Sequence, residues 1–502
     1  MCHIISFSAD YNELITILAA LIAITMLIGR KNEVGRLQDL TQKDESQFCV
    51  VYGRRRVGKT YLVRESFHYE FTFRHTGVYQ GDLRRQLLAF RSSLISSGLD
   101  DCPRLKNWFE AFEQLKRLTD MSHDTKKILF IDELPWMDTP KSNLVSELEN
   151  FWNGWVTARP QKDVVLIVCG SATSWITRKL LKNKGGLRGR LTERIMLQPF
   201  DLSECEEYAN AAGLAMSRKD IVEMYMAIGG IPYYWNFLQR GFSVAQNIDH
   251  LFFGKDAQLN DEFDALYHTI FKNPTGYVKV IEALGGKRMG LTRDKILSAS
   301  GINDGGTFTT ILTELEQCGF IRRYFPFGSK ENGALYQLID NYTLFHFHCI
   351  RKNAYADESY WQHTCLTPEH AAWAGLAFEQ VCLQHIPQIK SALGISGVIS
   401  NVCSWHTSRT ENHPGAQIDL LIERGDNVIN VCEMKYYNAP YTISDSEALQ
   451  LRERMSTFQQ TTGTRKALHL TMITCFGVAR NGNWNMVQSQ VLLDDLFRRP
   501  VP

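Results

Sequence analysis

No stretch constrains this chain more than Phe48-Cys49-Val50-Val51-Tyr52-Gly53-Arg54-Arg55-Arg56-Val57-Gly58-Lys59-Thr60. An apolar run breaks there into a glycine-bounded basic loop ending in Gly-Lys-Thr, which reads as a buried strand feeding a phosphate-binding loop. Gly53 and Gly58 permit backbone angles that turn the amides of Arg54, Arg55, Arg56 and Val57 toward one anion. Lys59 has the reach to meet the β/γ-phosphates and Thr60 offers a hydroxyl to Mg²⁺, so ATP and Mg²⁺ are the expected cofactors. A helix-like segment to about Phe67 follows, as such a loop requires.

Strand-like and helix-like segments then alternate, which predicts an α/β unit with a parallel sheet. Lys127-Ile128-Leu129-Phe130-Ile131-Asp132-Glu133 delivers two carboxylates to the C-terminal end of a strand, where ligands sit in open α/β sheets. It has the form of a Walker B element: Asp132 would hold Mg²⁺ and Glu133 would activate the attacking water, acting as the catalytic residue of hydrolysis. After a helix expected over Asn143 to Arg159, the run Val164 to Gly170 ends in Ser171. Ser171 either senses the γ-phosphate or caps the next helix. In the loop Gly185-Gly186-Leu187-Arg188-Gly189-Arg190, two arginines are placed to compensate transition-state charge, or to stand as surface charges. Arg190 is the favoured finger.

Composition narrows the rest. The 502 residues suggest roughly three domains. A net charge of +1 with 22% charged residues leaves no global electrostatic footprint, so any nucleic-acid surface must be local. The 12 cysteines lack CxxC or metal-like spacing, which favours reduced, packed thiols in a cytoplasmic protein and no zinc site. The apolar run Leu14 to Ile28 is shorter than a membrane span and has no basic lead or cleavage signal. Residues 1–25 are expected as an apolar extension, either preceding a natural start at Met26 or packing as a buried helix; a membrane association is not favoured.

The segments GRRRVGKT, LFIDELPW, VCGSATSW, GLRGR and Gly229-Gly230-Ile231-Pro232-Tyr233-Tyr234 together resemble the archaeal-type ATPase family of AAA+/STAND-like P-loop ATPases. The resemblance runs from about Leu27 to the end, because that family commonly carries a winged helix and a nuclease-like C-terminal domain. It implies a helical lid for the GGIPYY element, with Pro232 near the nucleotide. The spacing alone reads as a turn between helices.

Farther on, helical segments Tyr277 to Leu284, Thr292 to Ser298 and Gly305 to Cys318 precede two strand-like segments, Phe320 to Tyr324 and Ala334 to Leu338. Three short helices with a two-stranded wing predict a winged helix-turn-helix. Its third helix carries no Arg or Lys, which favours packing or protein contact over DNA reading. His346 and His348 would share a face if extended, and without a further ligand they are read as core histidines.

The C-terminal part carries a second constellation. A helix from Trp373 bears Glu379, a strand bears Asp419, and a following strand bears Glu433 and Lys435 two apart and hence on one face. Asp419, thirteen residues, then Glu-x-Lys, with a helical Glu379 before them, resembles the PD-(D/E)xK nuclease family. The family's proline before the aspartate is replaced by Ile418. Asp419 and Glu433 are hard oxygen ligands for Mg²⁺, Lys435 could activate water, and Glu379 could complete the shell.

The expected fold is α/β: an apolar extension over 1–25, a P-loop NTPase core over 26–200, a helical lid over 201–265, a winged helix over 266–345, a linker over 346–370 and a PD-(D/E)xK-like domain over 371–502. The expected function is an ATPase coupled to a DNA-directed, metal-dependent nuclease-like domain, with DNA and a homo-oligomer as partners. The alternative is a STAND-like switch whose nuclease fold does not cut.

Overall fold

A computed structural model describes residues 27–182, 185–187, 189–271, 273–329, 333–353, 356–411 and 413–499. The extension over 1–25 and Arg188 therefore lie outside the described residues. The chain divides into two compact units, Gly29–Pro199 and the part from Phe200 onward.

In the first unit, strands β1 (Gln47–Tyr52), β2 (Phe73–Thr76), β3 (Lys127–Asp132), β4 (Val164–Gly170) and β5 (Glu193–Met196) form one sheet in the order β2-β3-β4-β1-β5. Every pairing is parallel. Alternate residues show why. Phe48, Val50, Leu129, Ile131, Leu166 and Val168 enter one core with Phe90, Trp108, Phe112 and Phe151. Cys49, Val51, Phe130, Ile167 and Cys169 on the other pleat face are buried as well. Strands covered on both faces read as continuous apolar runs, which is how β1 and β4 look in the sequence. The helix expected over Asn143 to Arg159 is α-helical over Leu144–Asn150 and continues as a π-helix over Phe151–Val156. Within it Trp152 packs against Phe48, ring centroids 4.9 Å apart.

The second unit begins with helices Leu202–Ala211, Arg218–Ile228, Pro232–Trp235, Val244–Phe252 and Glu262–Ile270. Helices Thr275–Leu284, Arg293–Ser300 and Gly306–Gln317 follow, with strands β6 (Leu291–Thr292), β7 (Ile321–Tyr324) and β8 (Leu335–Leu338). The small sheet has three strands in the order β6-β8-β7, not two, because Leu291 and Thr292 pair with Tyr336 and Leu335. FHFH lies in the helix Asn341–His348, not in a strand. There His346 stacks on Phe263 with ring centroids 4.1 Å apart, and burial lowers its pKa to about 4. The stretch 346–370 holds a short helix, Tyr360–Thr364, whose Trp361 packs against Phe345 and Trp373.

Beyond it, the helix Pro368–Gln384 leads to β9 (Ser400–Thr407), β10 (Ala416–Arg424), β11 (Val428–Lys435), β12 (Ala467–Thr474) and β13 (Ser489–Leu492). They form a second sheet, order β13-β12-β11-β10-β9. β9, β10 and β11 are antiparallel neighbours, whereas β11, β12 and β13 run parallel. The helix Asp445–Thr462 makes the crossover from β11 to β12.

Candidate functional site

The loop after β1 has the geometry of an anion cradle. Gly53 (φ 143°), Arg56 (φ 70°) and Gly58 (φ 89°) all take positive φ. A Cβ on Gly53 would stand 2.3 Å from the Leu197 carbonyl oxygen, so glycine is required there by contact as well as by conformation. Arg55 and Val57 complete the loop, and Arg54 and Lys59 are buried within it. The Lys59 ammonium donates to the carbonyls of Arg54 at 2.8 Å and Gly53 at 3.1 Å, curling over its own loop. Helix Lys59–Ser66 starts at the loop's end, so its free amides point at the cradle.

β3 brings the acids to the same end of the sheet. The Thr60 hydroxyl donates to Asp132 at 2.7 Å, joining the two residues assigned to Mg²⁺. Burial raises the Asp132 carboxyl above its ordinary value, opposed by the Thr60 hydrogen bond. Glu133 takes φ 47° and turns its side chain toward the end of β4. There Ser171 donates to it from both the amide, at 3.1 Å, and the hydroxyl, at 2.5 Å. Gly170 fits beneath because a Cβ would lie 2.7 Å from the Pro135 ring, which explains the glycine in VCGS. A serine held against the acid is a role neither sequence alternative contained.

Arg190 is exposed. Its loop is anchored upstream, where the Gly186 amide donates to Glu149 at 2.9 Å and Asn153 donates to the Gly186 carbonyl at 3.0 Å. Pro232 opens the helix Pro232–Trp235 in the second unit. Beside it, Gly230 presses on Phe200: a Cβ would lie 1.8 Å from the Phe200 carbonyl oxygen.

In the second unit, Glu379, Asp419, Glu433 and Lys435 line one cleft of about 1160 Å³. Asp419 stands at a bulge of β10, where the pairing with β9 slips between Ile418 and Leu421. Bulges re-aim side chains beside functional sites. The β10–β11 pairing ends at Leu420 and Cys432, the residues next to Asp419 and Glu433. Lys435 lies 3.1 Å from Glu433 and 3.0 Å from Glu447, and Arg454 lies 2.6 Å from Glu433. Burial works against the Lys435 charge, yet Glu433 and Glu447 hold its ammonium above the ordinary value. Burial first, and the Asp419 charge second, push the Glu379 carboxyl up to about 7.

The expected metal shell is drawn together only in part. Among the described residues no three acidic, imidazole or thiol groups converge as metal ligands. Arg288 stands between Glu379 and Asp419, its guanidinium 2.9 Å from the first and 2.7 Å from the second. Gln417 donates to the other Asp419 oxygen at 2.6 Å. Arg288, Gln417, Glu447 and Arg454 escaped the sequence reading. Glu447 and Arg454 carry a usable signal, two turns apart on one helix, whereas Arg288 comes from another element and has none.

The helix Gly306–Gln317 presents Thr307, Thr309, Thr310, Thr313 and Glu316 to solvent, with no basic side chain. No helix among the described residues is long and apolar enough to cross a membrane. The described cysteines are free thiols, all buried except the half-buried Cys365.

The parallel sheet, glycine cradle and paired acids define a P-loop nucleotide-hydrolysing domain. Residues 27–238 match the model of a family described as an ATPase domain predominantly from Archaea. This segment is similar to archaeal-type P-loop ATPase domains. An uncharacterized protein of Methanocaldococcus jannaschii is 26% identical over 412 residues, 79% of this chain and 84% of that protein. Among solved structures, the chain is similar to the Walker-type ATPase of Pyrococcus abyssi, with a TM-score of 0.43, 15% identity, and coverage of 64% of this chain and 96% of that one. It is also similar to the Aeropyrum pernix ORC2 protein in its ADPNP–ADP complexes, with a TM-score of 0.41, 12% identity, and coverage of 68% and 96%.

Proposed function

We propose that the chain couples ATP hydrolysis to a PD-(D/E)xK-like domain over 371–502 that cleaves DNA with a divalent metal. On the nucleotide side, Gly53 to Thr60 would bind the phosphates, Asp132 and Thr60 would hold Mg²⁺, and Glu133 would position water under the control of Ser171. Arg190, exposed on an anchored loop, would compensate charge in a neighbouring copy.

The observation that carries the second activity is the gathering of Glu379, Asp419, Glu433 and Lys435 from one helix and two strands into one cleft. Supporting it is the order of elements: a helix bearing an acid, three antiparallel strands, a crossover helix and a parallel strand. Glu379, Asp419 and Glu433 are hard oxygen donors facing one cleft, the donor type a divalent metal takes, though with Arg288 between Glu379 and Asp419 they do not converge as a shell. A divalent metal there would supply Lewis-acid activation of a phosphodiester. Asp419 and Glu433 would hold it, Glu379 would complete the shell, and Lys435 would position the attacking water.

The helices of 275–317 with β6, β7 and β8 are read as a winged helix-turn-helix. Its exposed third-helix face offers threonines and a glutamate, so we assign it packing and not phosphate contact.

Purified protein incubated with duplex, single-stranded and branched DNA, Mn²⁺ or Mg²⁺, and ATP tests the reading. Cleavage lost in both Asp419→Ala and Lys435→Ala, with ATPase activity retained, is the expected result. Intact DNA under all conditions supports the switch reading, which the engagement of every site carboxylate by a cation favours.

A further inference from the structure

Arg288 reaches the cleft from outside the sheet that builds it. It lies in the loop Gly285–Gly290, between the helix Thr275–Leu284 and β6, and is 91 residues from Glu379 and 131 from Asp419. The loop's own carbonyls are held by side chains of β7 and β8, independently of the Arg288 guanidinium. The Gln337 side-chain Nε2 donates to the Arg288 carbonyl at 2.5 Å, and the Tyr324 hydroxyl donates to the Met289 carbonyl at 2.6 Å. Gly290, at φ 73°, passes so close to β8 that a Cβ would lie 2.1 Å from the Tyr336 carbonyl oxygen. The guanidinium is thus presented to the acids by a braced turn.

Its fork takes both oxygens of Glu379 and one of Asp419. Two parallel hydrogen bonds to one carboxylate and a third to its neighbour are the strong geometry for this side chain. The other Asp419 oxygen is held by Gln417, and the Glu433 oxygens are held by Lys435 and Arg454. Three of the acceptors a metal would use are therefore committed to Arg288, whose side chain keeps 45% of its exposure beside a Glu379 at 13%. A group so placed can swing out to solvent without opening the core.

We propose that Arg288 is a built-in counter-cation that closes the carboxylate site, competing with a divalent metal for Glu379 and Asp419 until the side chain is drawn away. This rests on the nuclease-site reading and adds its regulation. A phosphodiester arriving in the cleft is the chemistry suited to draw the guanidinium off, since it offers the same bidentate fork an alternative anion. Metal and substrate then bind with mutual support, each paying part of the cost of displacing Arg288.

Mn²⁺ titration of the full chain without nucleotide, followed by the electron paramagnetic resonance of free Mn²⁺, tests this. Arg288→Met should bind one Mn²⁺ about 10-fold or more tighter than wild type, because a competing closed state no longer dilutes the competent one. The gain should vanish in Arg288→Met combined with Asp419→Ala. Asp419-dependent Mn²⁺ binding that is equal in wild type and Arg288→Met overturns the counter-cation while leaving the metal site standing. Absence of Asp419-dependent binding in both overturns the nuclease reading itself. Should Arg288→Met fail to fold, Arg288→Gln takes its place: Asp419-dependent Mn²⁺ binding tighter than wild type supports the counter-cation, and equal binding overturns it.

Discussion

The Glu133 carboxylate is clamped by Ser171 through two donors, the amide at 3.1 Å and the hydroxyl at 2.5 Å. The pair joins the ends of β3 and β4, so the acid proposed to activate water is held toward the C-terminal end of β4. Glu133→Gln should keep ATP binding and lose hydrolysis by about 10²-fold or more, the usual scale for a general base. Ser171→Ala should change kcat while leaving nucleotide affinity near wild type. Equal kcat in Ser171→Ala and wild type would remove the clamp from the mechanism.

Lys59 now bonds the carbonyls of Gly53 and Arg54, and ATP would take over that ammonium. A hydrogen bond to a charged group contributes about 1.5–3 kcal/mol, so Lys59→Ala should weaken ATP binding by roughly 10- to 100-fold. The rise in melting temperature that ATP gives wild type should shrink accordingly, measured by scanning fluorimetry across ATP concentrations.

For Arg190, exposure on an anchored loop predicts action on a second copy of the chain. Hydrolysis per chain should rise with protein concentration and fall about 10³-fold or more in Arg190→Ala. Mixing Arg190→Ala with Lys59→Ala should recover part of the activity, because one copy then offers an intact loop and the other an intact arginine. A fully active Arg190→Ala variant makes it an ordinary surface charge.

Gly230 has a structural duty independent of any nucleotide. The Phe200 amide donates to the Gly230 carbonyl at 2.7 Å, and a side chain would collide with the Phe200 carbonyl. Gly230→Ala should cost more than about 2 kcal/mol, in the range of backbone-clash substitutions. Gly35→Ala, on an open helix surface with nothing within 4 Å, is the matched control and should be neutral or stabilising. Denaturant midpoints of the two variants compare them directly.

His75 is buried beneath Phe90 and bonded to Ser93 at 2.9 Å, and burial lowers its pKa to about 4. The unfolded chain, with an ordinary value near 6.5, binds the proton more readily. The stability His75 contributes as a neutral group is therefore complete above pH 6.5 and is lost as pH falls toward 4. By linkage the loss reaches about 2 kcal/mol at pH 5. His75→Gln should flatten the fall in melting temperature between pH 7.5 and pH 5. Parallel wild-type and variant curves would show that His75 is not the titrating group.

What the sequence by itself determined is local. Gly53, Gly58, Lys59 and Thr60 lie in one loop and the helix start after it, and Asp132 and Glu133 end an apolar run, so spacing was enough to predict a glycine cradle and a pair of acids at strand ends. Glu433 and Lys435 share a strand face by the period of two, and that too was legible. What only the tertiary structure decided are the relations across large separations. The Ser171 clamp depends on β4 lying beside β3, and the stack of His346 in the FHFH helix on Phe263 depends on two helices packing together. The aim of Asp419 comes from a bulge set by its pairing with β9. Arg288 lies between two acids because a turn braced on β7 and β8 carries it there. Side chains more than a few residues apart meet only through packing and strand register, and neither is a property of spacing along the chain.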